Sequence, residues 1–464
     1  MDLLICAGLA AIEVFAADRF WPDGSTLNSL PALHTVFYTF LAQYMTLKIY
    51  RIFLYHRYFS PLRHLPGPTV SHLGSRRGQL FACGLTENKN NNPLFGQGLN
   101  LIRAETPTAL YVEWMKQRPG APFIRYLGFL NTEVLVPNSL AVHKNVLYDN
   151  CYTFAKPQWF LRIVKEVAGH GLILMEGAEH RAHRRMLTNS FSLKSIRKLE
   201  PVFKDKARDI CHFFDQCISS HDGKTGSFDC IDTFMRAILD IMGTVILGVD
   251  LDYVKPGTGD ETSQSLDTGK AGKPKRECSF HEAYDVFFAP GTMGKILLFA
   301  NGHVPLRWLP LEANREFLFA MDWLNDVLRT IIRTRHREVA AAKAVGTHEM
   351  SKSRDLVTFI VEESGPGGAT EGMGEDEFLG HLLEIMAAGH DTSANMLSWS
   401  CYIMATRPDI QDRLRAELAT TSPDASFVEL DRLPYLECFA KECMRVYSPC
   451  TFYWGDVFPP DLRC

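Results

Sequence analysis

The 464 residues are 46% apolar and 22% charged, an ordinary globular balance, and the chain is long enough for one large core or two lobes. Lysine and arginine total 49 against 53 aspartates and glutamates, a formal charge of −4, which speaks against a nucleic-acid binder. Twelve cysteines are scattered without a CxxC pair, a pattern of reduced cytosolic thiols rather than of a disulfide framework.

The first 60 residues stand apart. "MDLLICAGLAAIEVFAA" is apolar except for Asp2 and Glu13. After the polar break "DRFWPDGSTLNS", the run "LPALHTVFYTFLAQYMTL" gives 18 residues with no formal charge, counting His34 as neutral. A bilayer takes about 20 such residues as a helix, so the run is just long enough. Lys48, Arg51, Arg57 and Arg63 behind it would hold that end on the cytoplasmic side. Residues 1–60 therefore read as a membrane anchor region, with one span and a two-helix hairpin both open and a buried or interfacial helix as the alternative. The lack of a basic n-region argues against a cleaved signal peptide. Pro66 and Pro68 then bracket Gly67 in "LPGP", a stiff hinge between anchor and body.

Short strands are expected in "PFIRYLGFLNTEVLVP", residues 122–137, with a turn near Asn131 and Thr132. From Pro157 onward the pattern is mostly helical. "LEPVFKDKARDICHFFDQCI" from 199 has the three- and four-residue apolar spacing of a surface helix, and 228–248 is apolar enough for a core helix. Residues 254–277 and 363–376 are rich in turn-forming residues and read as surface loops. A helix that turns basic along its length starts at 321. The fold class expected is mainly α with a small β portion.

Three stretches carry candidate chemistry. In "LLEIMAAGHDTSANMLSWS", 382–400, Ala387, Ala388 and Gly389 leave one helix face bare, Asp391 is costly if buried without a partner, and Thr392 can bond back to the carbonyl of Ala388, loosening the ladder. A helix–helix crossing and a ligand groove with proton donors both satisfy that pattern. In "GAEHRAHRRMLTNSFS", 177–192, His180 and Arg184 lie on a basic helix that could clamp a carboxylate or phosphate, or simply be solvated. In "LPYLECFAKECMRVYSP", 433–449, Glu442 and Arg445 are three apart and can form an ion pair.

Together these stretches resemble the cytochrome P450 superfamily of haem-thiolate monooxygenases, in particular its membrane-bound fungal members, from "LPGP" at 65–68 to "SP" at 448–449. "AGHDT" (388–392) resembles the oxygen-activation motif, "ECMR" (442–445) matches Glu-x-x-Arg, and "HRAHR" (180–184) resembles Trp-x-x-x-Arg with His180 in place of tryptophan. The resemblance implies that Asp391 and Thr392 handle protons during oxygen activation, that Ala388 and Gly389 border the haem, and that Arg184 and His180 face its propionates. It further implies that Glu442 and Arg445 are structural. The implied partners are an NADPH-cytochrome P450 reductase and a hydrophobic substrate: a terpenoid, polyketide or alkaloid intermediate of secondary metabolism, with sterols and fatty acids still open. The implied location is the endoplasmic reticulum membrane, with the body facing the cytoplasm.

The sequence departs from that family at its far end. The ligand pattern Phe-x-x-Gly-x-Arg-x-Cys-x-Gly is absent, and neither Cys450 nor Cys464 has its glycine and arginine context. The expectation is a truncated P450 domain over 61–449 with an aberrant tail at 450–464, no metal-ligating residue, no haem-thiolate binding and no activity. A monooxygenase recorded incompletely and a haem-free pseudoenzyme are the two readings.

Overall fold

The computed structural model describes residues 2–20, 32–68, 92, 94–104, 108–188, 190–254, 278–288, 290–345, 355–365, 367–368, 370–449 and 456–457. The chain divides into two compact units, Met1–Cys151 and Tyr152–Cys464.

In the first unit, helices α1 (Asp2–Phe20) and α2 (Ala32–Ile49) pack together. Cys6 and Ala10, one turn apart, are buried, and Gln43 Nε2 donates to Glu13 Oε2 at 2.6 Å. The expected span is not borne out: among the described residues no helix is long and apolar enough to cross a membrane. Composition explains this. Helix α2 has 18 residues, including Thr35, Thr39, Gln43, Thr46 and Lys48, and α1 includes Asp2, Glu13, Asp18 and Arg19.

The helix continues as a π-helix over Tyr50–Phe59 and a 3₁₀ turn over Pro61–His64. Two short helices follow, α3 (Gly98–Arg103) and α4 (Ala109–Gln117). Next come antiparallel strands β1 (Phe123–Leu127) and β2 (Glu133–Pro137), with Phe123 opposite Pro137 and Leu127 opposite Glu133. The strands stand where the sequence predicts them. Leu110, Trp114, Ile124 and Tyr126 form their core. Gly96 has φ +51°, and a Cβ there would collide with the carbonyl of Leu127, so only glycine allows this approach.

The hairpin also stitches down the chain after α2. Ser60 Oγ donates to Glu133 Oε1 at 2.6 Å, and Arg125 Nε donates to the same oxygen at 2.7 Å. Arg125 Nη2 reaches the carbonyl of His56, and Asn131 Nδ2 that of Ile52, each at 2.8 Å. Since Arg125 N donates to the carbonyl of Pro66 at 2.9 Å, the proline stretch is pinned rather than free to swing. Helix α5 (Leu140–Lys144) follows, capped by Ser139.

In the second unit, β3 (Phe154–Ala155) pairs antiparallel with β4 (Asp456–Val457). Between them run α6 (Gln158–Ala168), α7 (Gly177–Thr188), α8 (Leu193–Arg197), α9 (Glu200–Ser219) and α10 (Cys230–Met242). Then come α11 (Phe280–Phe288), α12 (Thr292–Asn301), α13 (Glu312–Val345), α14 (Leu356–Glu362) and α15 (Glu375–Thr406). Helices α16 (Pro408–Leu418), α17 (Phe427–Leu430) and α18 (Pro434–Val446) complete the set. The predominance of helix agrees with the sequence reading.

The core lies where α10, α11, α13, α14 and α15 meet, around Leu239, Tyr284, Leu328, Ile360 and Leu382. Helix α13 buries Phe317, Ala320, Leu324, Val327, Leu328 and Ile331, the spacing of a helix with one apolar stripe. Its basic half has a use: Arg329 and Arg333 reach Glu375 at 3.1 and 2.9 Å, and Arg329 reaches Asp376 at 2.6 Å. Those carboxylates occupy the first turn of α15, where the helix dipole also favours negative charge.

The core helix expected over 228–248 is α10 followed by a π turn at Gly243–Leu247. Gly243 is wedged against Leu251 and the carbonyl of Val249, and Gly248 ends the element in the left-handed region. The loop expected at 254–277 lies, beyond Val254, outside the described residues.

Candidate functional site

Helix α15 is the hub. Its first turn is acidic, its N-terminal half is almost entirely buried, and past Met386 one stripe opens to solvent. Ala388 and Asp391 are exposed, and Thr392 and Asn395 are half-buried beside them. Thr392 Oγ1 donates to the carbonyl of Ala388 at 2.6 Å, the bond the sequence suggests. The ladder is not loosened: the helix stays regular from Glu375 to Thr406. Asp391 is steadied by Asn395 Nδ2, which donates to its Oδ1 at 3.0 Å and to its carbonyl at 2.8 Å.

Gly389 points elsewhere. A Cβ at this position would overlap Met242 Cε at the end of α10, so the Met242 side chain occupies the notch the glycine leaves where the two helices meet. The helix-crossing reading of the "AAGHDT" stretch holds on this face, while Ala388 and Asp391 lie open on another. His390 reinforces the crossing through Nε2, 2.9 Å from the carbonyl of Met235, while the Tyr284 ring meets it edge-on at 4.8 Å.

Helix α7 presents His180 and Arg184. His180 Nδ1 is 3.2 Å from the hydroxyl of Tyr152, whose ring carries the Arg181 guanidinium at 4.1 Å. Burial, then the nearby Lys156 and Arg184 charges, lower the His180 pKa and keep the ring neutral. Arg184 is exposed, and its guanidinium has no carboxylate partner among the described residues.

The sequence reading missed three residues: His183 and His381 join α7 to α15, and Glu384 ties α15 to the turn before α7. His183 Nδ1 lies 3.0 Å from Nε2 of His381, which is fully buried. Burial and the His183 charge push His381 down to about 4. One turn on, Glu384 Oε2 accepts from the amide of Ile173 at 2.9 Å, and Gly171 approaches so closely that a Cβ would strike the carboxyl. Burial raises Glu384 to about 7, while Oε1 has no hydrogen-bond partner among the described residues. The available signal was spacing: His381, Glu384, Ala388, Asp391 and Thr392 recur at three and four residues, a polar line along an apolar helix.

Glu442 and Arg445 do form a two-pronged ion pair, at 2.8 and 2.6 Å. It is a surface pair, with side chains 60% and 70% exposed. Helix α18 meets α15 through Trp399 and Tyr447, stacked at 4.1 Å, and through buried Cys443. The structure thus brings α7 and α18 to one helix without placing the Glu442–Arg445 pair in the core.

A family profile described as cytochrome P450 matches residues 87–453. Cytochrome P450 monooxygenase sphH of Aspergillus fumigatus is 26% identical over 96% of this chain and 73% of its own length. Cytochrome P450 monooxygenase FSL4 of Gibberella zeae is 26% identical over 85% and 65%, and FUM15 of Gibberella moniliformis 25% over 97% and 71%. The chain therefore spans roughly two thirds to three quarters of the length of these relatives. Among solved structures, the cytochrome P450DA heme domain superposes with a TM-score of 0.56 at 14% identity, covering 76% of this chain and 68% of that one. Retinoic acid bound cyanobacterial CYP120A1 gives 0.51 at 18%, covering 77% and 68%. The open polar stripe on the central helix, the basic helix docked on it and the family match over most of the chain agree: this protein belongs to the cytochrome P450 family.

Proposed function

We propose that the chain carries the oxygen-side machinery of a monooxygenase acting on a hydrophobic small molecule. The observation behind this reading is the stripe of Ala388, Asp391, Thr392 and Asn395, open on a helix to which His183 and His381 fasten the arginine-bearing α7. Haem, when bound, supplies dioxygen activation with electrons from an NADPH-dependent reductase. The chain's own residues do the rest. The Thr392 hydroxyl spends its proton on Ala388, which leaves its oxygen lone pairs to accept a hydrogen bond from the reacting side. Asp391, held by Asn395 at the solvent edge, exchanges protons with water. Arg184 and His180 would hold the propionates, Ala388 and Gly389 would border the ring, and Glu442 and Arg445 brace α18.

A terpenoid, polyketide or alkaloid intermediate is the proposed substrate class, supported by the fungal source of the relatives. Attachment of residues 1–60 to the endoplasmic reticulum membrane is supported by the exposed Ile12, Phe15, Phe37 and Met45. Residues 61–449 are the proposed P450 domain, followed by a divergent tail.

The cysteines of these 464 residues do not match a haem-thiolate ligand. None of the cysteines at any position has the family's glycine–arginine surroundings. A second reading follows: a polypeptide of these 464 residues is haem-free and inactive. The purified Met1–Cys464 polypeptide, reduced under carbon monoxide, is expected to show no absorption band at the family's position. A normal band would overturn the inactive reading and return the chain to the active class.

A further inference from the structure

A cavity of 640 Å³ in the second unit lies apart from the α15 stripe, between α8, α9, α10, α14 and α15. Its volume falls in the range of roughly 300–1,000 Å³ typical of small-molecule sites. Met242, Ile246, Phe359 and Ile385 give it an apolar body, and Ser190 and Lys198 line it as well. Among the described residues no aspartate or glutamate is in that lining.

Arg197 is paired with Asp431 at 3.4 Å and Lys204 with Glu200 at 2.9 Å, whereas Lys198 has no carboxylate partner among the described residues. The Ser190 hydroxyl is likewise buried without a hydrogen-bond partner. An apolar cavity with one unanswered cation, one unanswered hydroxyl and no carboxylate suits an anion on an apolar tail.

We propose that this cavity binds a long-chain carboxylate of the fatty-acid class, its head toward Lys198 and Ser190 and its chain among Met242, Ile246, Phe359 and Ile385. The inference does not rest on the monooxygenase reading. Met242 also fills the notch at Gly389, so an occupant would press on the residue that seats α10 against the α15 stripe.

The test uses the full 464-residue chain and a diazirine-bearing hexadecanoate, with the matching alcohol as the uncharged control. Photolabel is expected on the peptides carrying 190–203, 242–246 or 356–359. Lys198→Met is expected to weaken carboxylate binding roughly fivefold, as loss of a part-exposed ion pair would, and to leave the alcohol unchanged. Ile246→Trp, which fills the cavity, should abolish both, and because Lys198 is exposed, Lys198→Met decides the matter even if Ile246→Trp fails to fold. Label confined to α1 and α2 would mean partition onto an apolar surface and overturn the proposal. So would equal loss of acid and alcohol in Lys198→Met, or a photoreactive side chain at Phe359 cross-linking to another stretch of this chain, which would make polypeptide the occupant.

Discussion

Replacing Glu384 with glutamine should make the protein more sensitive to acid. His381 and Glu384, one turn apart on α15, titrate with opposite sign. His381 falls from 6.5 to about 4, so its contribution to stability is complete above pH 6.5 and is lost as the pH falls toward 4. Glu384 rises from 4.5 to about 7, so its contribution is complete below pH 4.5 and is lost as the pH rises through 7. Each shift is about 2.5 units, on the order of 3 kcal/mol at 1.36 kcal/mol per unit. Between pH 6.5 and 4.5 the two largely cancel. Glu384→Gln keeps the shape and removes only the acid's half, leaving His381 uncompensated. Urea unfolding followed by circular dichroism at pH 4.5, 5.5 and 6.5 reads the effect. The stability of Glu384→Gln relative to the parent should drop by roughly 2–3 kcal/mol from pH 6.5 to 4.5. A difference that does not change with pH would refute the opposed titration.

Gly389→Ala gains about 1 kcal/mol of helix propensity and must displace the Sδ–Cε end of Met242, a flexible side chain bordering a cavity. Its unfolding free energy should stay within about 1 kcal/mol of the parent, and a loss above about 3 kcal/mol would mean that the crossing is rigid. Arg125→Met should cost about 3 kcal/mol, because it leaves the Glu133 carboxylate, only 16% exposed, without its guanidinium. A loss below about 1 kcal/mol in the same unfolding assay would contradict that.

Much of the architecture was readable because it is local. Alternation in 122–137 gave both strands, whereas the loop read over 363–376 runs two residues into α15, which begins at Glu375. The Thr392 bond to Ala388 was foreseeable because both partners lie on one helix. Contacts across the chain were not. Nothing adjacent to Gly389 announces Met242, 147 positions away, and His183 and His381 are 198 apart. The π segments at 50–59 and 243–247 likewise depend on what packs beside them, since the sequence there has ordinary helical spacing. Glu442 and Arg445 paired as their spacing suggests, yet how deep a pair sits depends on elements that spacing does not encode.

The pinning of residues 52–66 to the β1–β2 hairpin removes the slack from a segment that composition alone would make a tether. The carbonyls of Ile52, His56 and Pro66 are each held by Asn131 or Arg125. Whatever surface α1 and α2 rest on would therefore set the tilt of the hairpin directly, like a mooring with no rope. Inserting glycines between Pro66 and Pro68 would leave that mooring intact, whereas losing the Arg125 side chain would release the His56 carbonyl and leave Asn131 and the Arg125 amide to hold the rest.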